Sequence, residues 1–157
     1  MKRPVNEMKI KLPALSVNEG ACRAVVAAFC AQLDPNIEEL ADIKCAVSEA
    51  VTNAIVHGYR NEGGTVVMTA DFDDRRMLTV RVRDEGCGIR DVEAAMQPFY
   101  STGDGSERSG MGFCVMQTFM DAVEVDSAPG EGTTVTLRKF ILGEAGLYRE
   151  RMLDEIG

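Results

Sequence analysis

Three polar residues recur at four-residue steps in an otherwise apolar segment. Glu49, Asn53 and His57 stand in the run EAVTNAIVH, and residues four apart on an α-helix project from one face. A carboxylate can act as a general base, and an amide oxygen is a ligand that Mg²⁺ accepts. The run therefore predicts a helix whose polar stripe lines a cleft. A solvated polar helix face is the alternative.

An aspartate and two glycines follow a predicted strand in the segment Asp84-Glu-Gly86-Cys-Gly88. Because glycine has no Cβ, its backbone can approach a flat ligand closely, and a carboxylate accepts a hydrogen bond from an exocyclic amine. The segment therefore predicts a pocket for an aromatic base that carries an amine. A tight turn also selects aspartate and glycine, and this is the alternative for the segment taken alone.

A third polar and glycine-rich group stands where a helix is predicted to begin, in the segment Glu107-Arg108-Ser109-Gly110-Met111-Gly112. Free backbone amides at a helix N-terminus favour phosphate oxygens, and Arg108 and Ser109 add a positive charge and a hydroxyl. A plain glycine-rich loop that enters a helix is the alternative. The segment matches neither GxxxxGK(S/T) nor a GxGxxG after a first strand, which argues against those nucleotide-binding folds.

The elements that must position these residues follow from hydrophobic periodicity and turn signals. Alternating apolar residues predict strands over residues 8–12, 65–72, 77–83, 123–127 and 133–140. One helix is predicted from a capping box at Ser16 and Glu19 to about Leu33, and a second from Asp34-Pro35 to Gly58. Helical spacing predicts two more helices, over residues 91–96 and 112–120. Strand hairpins with helices between them predict an α+β fold, a two-layer sandwich in which helices cover one face of a mixed sheet.

Composition and charge limit the classes of protein to which the chain can belong. With 157 residues, 45% of them hydrophobic and 27% charged, the chain fits one globular domain. The net charge of -8 argues against a surface that binds nucleic acid, because such a surface needs Lys and Arg. Five widely spaced cysteines and a single histidine predict reduced thiols and no zinc site. No leader and no run of about 18 apolar residues is apparent, which predicts a cytoplasmic location.

Together the three groups are far more specific than any one of them, and Gly132-Thr133-Thr134 follows them before the last predicted strand. The segments EAVTNAIVHGY, RDEGCGI, RSGMGF and SAPGEGTTVTL closely resemble those of the sporulation anti-sigma-F factors, over roughly residues 7–140. Those serine kinases belong to the Bergerat (GHKL) superfamily, with gyrase B, Hsp90, MutL and the histidine kinases. The resemblance implies a Bergerat-type ATP-binding kinase domain at residues 1–142 and leaves the tail, residues 143–157, without an assigned structure.

At the phosphate end of the site, the resemblance implies that Glu49 is the catalytic base, which orients or deprotonates an attacking hydroxyl. It implies that Asn53 binds ATP through a Mg²⁺ that bridges the phosphates, and that residues 101–109 form a lid. Arg108 is the implied lid cation nearest the phosphates. The other implied phosphate-binding residues are Ser109, Gly110, Met111 and Gly112. Histidine kinases usually carry Asn at the position of Glu49, so the carboxylate favours transfer to a hydroxyl or to water.

At the adenine end, the resemblance implies that Asp84 binds the adenine amino group and that Thr133 supports this recognition through its hydroxyl. Gly86 and Gly88 would form the floor of the adenine pocket. Arg23, on the first predicted helix, matches a position at which the family binds protein partners. A solvated helix face is the alternative for Arg23.

The function implied by the resemblance is that of an anti-sigma factor with ATP-dependent protein serine kinase activity. Such a protein binds and inhibits a sporulation sigma factor, phosphorylates a serine of an anti-anti-sigma factor and forms a homodimer, with ATP and Mg²⁺ as cofactors. A stress-response anti-sigma kinase and a nucleotide-dependent anti-sigma module without significant kinase activity are alternatives within the same family. A detached ATPase or histidine kinase domain is a third alternative, which Glu49 disfavours.

Overall fold

A single sheet forms one layer of the molecule. The computed structural model describes residues 3–97, 112–143 and 154–156, and its five strands lie in the order β1-β2-β3-β5-β4. They are β1 Asn6–Pro13, β2 Thr65–Phe72, β3 Met77–Asp84, β4 Ala122–Ala128 and β5 Gly132–Phe140. The predicted strands and the α+β class are confirmed. The predicted mixed sheet is wrong, because every pair of neighbouring strands is antiparallel: β5 lies between β3 and β4, which would otherwise be parallel neighbours.

Helices form the second layer. They are α1 Val17–Cys30, α2 Ile37–Thr52, α3 Val92–Ala95 and α4 Gly112–Phe119, with a 3-10 turn at Ala31–Leu33 and a π-helical segment at Asn53–Gly58. Both α1 and α4 pack against α2, which also contacts β3 and β5. The helix that carries the candidate base therefore lies at the centre of the helical layer. No helix in the described ranges is long and apolar enough to span a membrane.

The hydrophobic core lies between the two layers. Every second residue of β2 is buried, as strand periodicity requires. Helix α2 places Ile43, Val47 and Val51 against this face, all of them at most 1% exposed. At one end of the core the rings of Phe29 and Phe72 lie 5.5 Å apart and tilted. This packing confirms the predicted two-layer arrangement.

The first helix begins where the sequence predicts, but without the predicted capping box. Ser16 has helical backbone angles and its side chain makes no capping hydrogen bond. The Glu19 carboxylate instead accepts a hydrogen bond from the Ser48 hydroxyl of α2 and pairs with Arg23 at 3.5 Å. A tertiary contact has therefore replaced the local one at Glu19.

The second helix begins two residues later than predicted, and its cap is Asn36 rather than Asp34. The Asn36 side chain accepts from the Glu39 N–H, and the Glu39 carboxylate accepts from the Asn36 N–H. Asp34 has a left-handed backbone, with φ 48°, and ends the preceding 3-10 turn. Glu39 also accepts the N–H groups of Leu142 and Gly143 at 2.7 and 2.9 Å, so the cap is tied to the end of the sheet.

The predicted end of this helix at Gly58 is confirmed, but the helix is not regular throughout. From Asn53 onward it is a π-helix, and the Tyr59 N–H donates to the Ala54 carbonyl five residues back, at 2.9 Å. Single-turn π segments occur mostly inside α-helices and often at functional sites. The change of helix type falls at Asn53, the candidate Mg²⁺ ligand.

Candidate nucleotide-binding site

A buried carboxylate marks the end of β3. Asp84 is 3% exposed, and its carboxylate accepts hydrogen bonds from the backbone N–H of Gly86, at 2.9 Å, and of Thr133. Burial raises the pKa of the Asp84 carboxyl above its usual value, while these two backbone hydrogen bonds act in the opposite direction. The site thus holds a buried acid whose remaining lone pairs can accept from a ligand.

The glycines after Asp84 are required by contacts within the protein. A Cβ on Gly86 would lie 2.1 Å from the Gly58 carbonyl oxygen, and the neighbouring Cys87 N–H donates to that oxygen at 2.9 Å. Gly88 has φ +73°, and a Cβ there would lie 2.0 Å from the Ala128 carbonyl oxygen. Both glycines lie beside Asp84, as predicted. Their missing side chains make room for neighbouring backbone, and the adenine floor that the sequence suggested stays a prediction.

Tyr59 joins the end of the π-helical segment to the end of β3. Its hydroxyl donates to the Thr65 carbonyl and accepts from the Glu85 N–H, both at 2.7 Å. A Cβ on Gly64 would lie 2.4 Å from the Tyr59 ring, so the ring packs directly on that backbone. Tyr59 therefore holds in place the residue that follows Asp84. No pattern in the sequence pointed to Tyr59, although it closes the EAVTNAIVHGY segment.

Three polar residues, one on each of three neighbouring strands, form a row that includes Asp84. Thr133 on β5 lies opposite Asp84 on β3 and opposite Ser127 on β4. Thr133 is 4% exposed. Its hydroxyl oxygen lies 2.8 Å from that of Ser127. The structure thus brings Thr133 next to Asp84, as predicted. It adds Ser127, which nothing in the sequence indicated beyond its place in the SAPGEGTT segment.

Glu49 lies in the last turn of α2, just before the π-helical segment. It is partly buried on α2, and a Cβ on Gly112 would lie 3.1 Å from its Oε2 atom. The carboxylate therefore lies against the first residue of α4. Asn53 lies one turn further along, as the first residue of the π-helical segment. The structure thus brings Glu49 next to Gly112, while the role of Asn53 as a Mg²⁺ ligand stays a prediction.

Arg23 is the one remaining predicted site residue that the structure describes. Arg108, Ser109, Gly110 and Met111 lie outside the described residues. Arg23 lies on α1 with its side chain 45% exposed and paired with Glu19. Its exposed side chain fits either of the two interpretations, contact with a protein partner or a solvated helix face.

Known proteins resemble this chain in sequence and in fold. The histidine kinase-like ATPase domain family matches residues 12–139. The anti-sigma F factor of Caldanaerobacter subterraneus subsp. tengcongensis is 57% identical over 136 residues, which are 87% of this chain and 94% of that protein. The anti-sigma F factor of Bacillus licheniformis is 52% identical over 137 residues, 87% of this chain and 93% of that protein.

Solved structures agree on the fold. The RsbU and RsbW domains of Rv1364c from Mycobacterium tuberculosis align with a TM-score of 0.63 at 22% identity, over 88% of this chain and 32% of that one. The histidine kinase domain of the Erythrobacter litoralis EL346 blue-light activated histidine kinase aligns with a TM-score of 0.53 at 20% identity, over 78% of this chain and 61% of that one. The fold, the family match and the identity to the anti-sigma F factors agree, and this chain belongs to the anti-sigma F factor family, with a histidine kinase-like ATPase domain.

Proposed function

We propose that this chain binds and inhibits a sporulation sigma factor, and that it uses ATP to phosphorylate a serine of an anti-anti-sigma factor. The main support for the kinase activity is the helical stretch that contains Glu49 at one point and contacts a second, buried acid, Asp84, at its end. Gly58, at the end of its π-helical segment, packs on the Asp84 carboxylate, while Glu49 lies against the start of α4. Identity above 50% to anti-sigma F factors supports the sigma-factor part.

The adenine end of the nucleotide fits the surroundings of Asp84. The carboxylate is buried and already receives two backbone N–H groups, so its position is fixed before a ligand binds. An exocyclic amine donates to such an acceptor, whereas a carbonyl oxygen at the same place would be repelled. Asp84 therefore selects adenine over guanine, with Thr133 beside it.

The phosphate end fits the surroundings of Glu49. Nine residue steps separate Glu49 from Gly58, a rise of at most about 13 Å at roughly 1.5 Å per residue. A nucleotide whose base lies at Asp84 can extend its phosphates along this helix toward Glu49 and the N-terminus of α4. Gly112 opens α4, and the positive end of a helix dipole favours phosphate.

Mg²⁺ fits the site through Asn53. Among the described residues, no group of three or more His, Cys, Asp or Glu side chains could hold a metal ion. A phosphate-bound Mg²⁺ needs only one or two protein oxygens besides phosphate and water, and it would neutralise charge on the transferred group. Asn53 supplies such an oxygen one turn from Glu49.

Glu49 then acts on the hydroxyl of the partner serine. As the serine oxygen attacks the γ-phosphorus, the O–H proton passes to the Glu49 carboxylate and ADP leaves. Arg23, exposed on α1 beside Glu19, would contact the protein partners. A second copy of the chain, as a homodimer, completes the proposed assembly.

The test replaces Glu49 with Gln, which keeps the size of the side chain but cannot accept a proton at neutral pH. Single-turnover transfer from labelled ATP to the anti-anti-sigma serine should fall about 10² to 10⁴-fold. ATP binding and capture of the sigma factor should persist. Glu38→Gln, at an exposed acid in the first turn of α2, is the matched control and should transfer normally.

Two results would contradict the proposal. Undiminished transfer by Glu49→Gln would remove Glu49 from the role of base. A parent chain that binds ATP and captures no sigma factor would refute the anti-sigma part and leave the nucleotide site intact.

A further inference from the structure

The Ser127 hydroxyl has three partners, and they determine where its proton points. Its oxygen accepts the Ile89 N–H at 2.8 Å, lies 2.9 Å from the Gly132 carbonyl oxygen and lies 2.8 Å from the Thr133 hydroxyl. A serine hydroxyl has one proton and two lone pairs. The Ile89 N–H can only donate, and the Gly132 carbonyl can only accept.

One arrangement satisfies all three contacts. The Ser127 proton goes to the Gly132 carbonyl, because that oxygen has no proton to offer in return. The two lone pairs of Ser127 then receive the Ile89 N–H and the Thr133 O–H. The Thr133 proton is thereby directed toward Ser127, away from Asp84 on the opposite strand. Thr133 retains two lone pairs and no proton for any further partner.

We propose that Ser127 is a positioning residue for the adenine pocket, because it holds the Thr133 hydroxyl as an acceptor toward the exocyclic amine of the nucleotide. This inference rests on the proposed binding of ATP at Asp84. Thr133 and Asp84 then present acceptors side by side to the same amine, either directly or through a water. Without Ser127, the Thr133 proton is free to turn into the pocket, where it meets the amine as a second donor.

The test is a double-mutant cycle read with two nucleotides. Dissociation constants are measured by calorimetry for ATP and for purine riboside triphosphate, which has the same ring without the amine. The variants are the parent, Ser127→Ala, Thr133→Val and the double substitution. Ser127→Thr restores the hydroxyl, and Thr134→Val, one residue along β5 on the opposite face of the sheet, is the matched control.

We expect Ser127→Ala to weaken ATP by roughly threefold to tenfold, the range that corresponds to one neutral hydrogen bond. Binding of purine riboside triphosphate should change by less than about twofold. In the Thr133→Val background the same substitution should have no further effect on ATP, because its target hydroxyl is gone. Ser127→Thr should bind ATP as the parent does.

Equal weakening of both nucleotides, or an undiminished effect of Ser127→Ala in the Thr133→Val background, would overturn the inference and show that Ser127 only supports the backbone. A parent that does not bind ATP would overturn the proposed function, and this inference with it. Thermal unfolding without nucleotide shows whether each variant folds. If Ser127→Ala does not, Ser127→Cys takes its place in the cycle, because a thiol is a weak donor and a weak acceptor.

Discussion

Replacing Asp84 with Asn should change both the affinity for ATP and the pH dependence of stability. The two effects can be measured separately. Asparagine has nearly the same shape as aspartate, so the contact with Gly58 and the backbone hydrogen bond from Gly86 can persist. The change removes a negative charge from a group that is 3% exposed. It also turns one acceptor oxygen into an NH₂ donor.

The first effect is on nucleotide affinity. A hydrogen bond to a charged group contributes about 1.5 to 3 kcal/mol, which corresponds to roughly tenfold to 150-fold in the dissociation constant. Because Gly86 donates to Oδ1 of Asp84, the amide oxygen of Asn is expected there, and an NH₂ donor replaces the other acceptor oxygen. ATP should therefore bind at least about tenfold more weakly to Asp84→Asn, with a much smaller change for GTP.

The second effect is on the pH dependence of stability. The Asp84 carboxyl has a raised pKa in the folded chain because burial disfavours its charge. Below its ordinary pKa of about 4, the carboxyl is neutral in both states, and its favourable contribution to folding is fully present. That contribution is lost as the pH rises through the raised pKa. The free energy of unfolding of Asp84→Asn, minus that of the parent, should therefore increase from pH 4 upward.

Urea unfolding of the nucleotide-free chain, repeated across pH 4 to 8, measures this difference, and calorimetry measures affinity. Asp126→Asn is the control, since Asp126 is exposed on β4. A difference in unfolding free energy that stays flat with pH would refute the raised pKa. Equal affinity of parent and variant for ATP would refute the contact with adenine.

Two further substitutions test the backbone contacts that surround the site. Gly86→Ala places a Cβ 2.1 Å from the Gly58 carbonyl oxygen, so it should destabilise the chain by several kcal/mol in chemical unfolding. Gly130→Ala, whose Cβ meets nothing within 4 Å at φ +79°, should lose only about 1 kcal/mol. Glu39→Gln should lower the unfolding free energy by about 1 to 3 kcal/mol, because its amide cannot accept both the Leu142 N–H and the backbone groups at Oε1. Full stability of Glu39→Gln would contradict the role assigned to that carboxylate.

Strand and helix positions were predictable because they depend on local periodicity. The alternation over Thr65–Phe72 and Met77–Asp84 gave both strands of the β2–β3 hairpin and its turn. The helix starts were less predictable because their caps depend on distant residues. Glu39 makes Asn36 the cap and also accepts hydrogen bonds from amides 103 and 104 positions away. The sequence around Asp34 does not indicate these distant contacts.

The candidate site was predictable where one residue type carries the chemistry. Asp84 and Glu49 each lie in the predicted element, with a carboxylate that faces the predicted neighbourhood. Ser127 and Tyr59 were missed because their roles depend on hydroxyl contacts between segments. Ser127 meets an amide 38 residues away, and Tyr59 meets one 26 residues away. Serine and tyrosine are too common in ordinary positions for spacing alone to identify them.

The π-helical segment explains how one helix can serve both ends of the site. At 3.6 residues per turn each residue advances by about 100°, so nine α-helical steps from Glu49 would leave Gly58 roughly opposite Glu49 around the helix axis. A π-helix takes in more residues per turn, so each step over Asn53–Gly58 turns less. Gly58 therefore comes round toward the side that Glu49 faces. Gly58 contacts Asp84 and Glu49 contacts Gly112, so one continuous helical stretch contacts both the end of β3 and the start of α4.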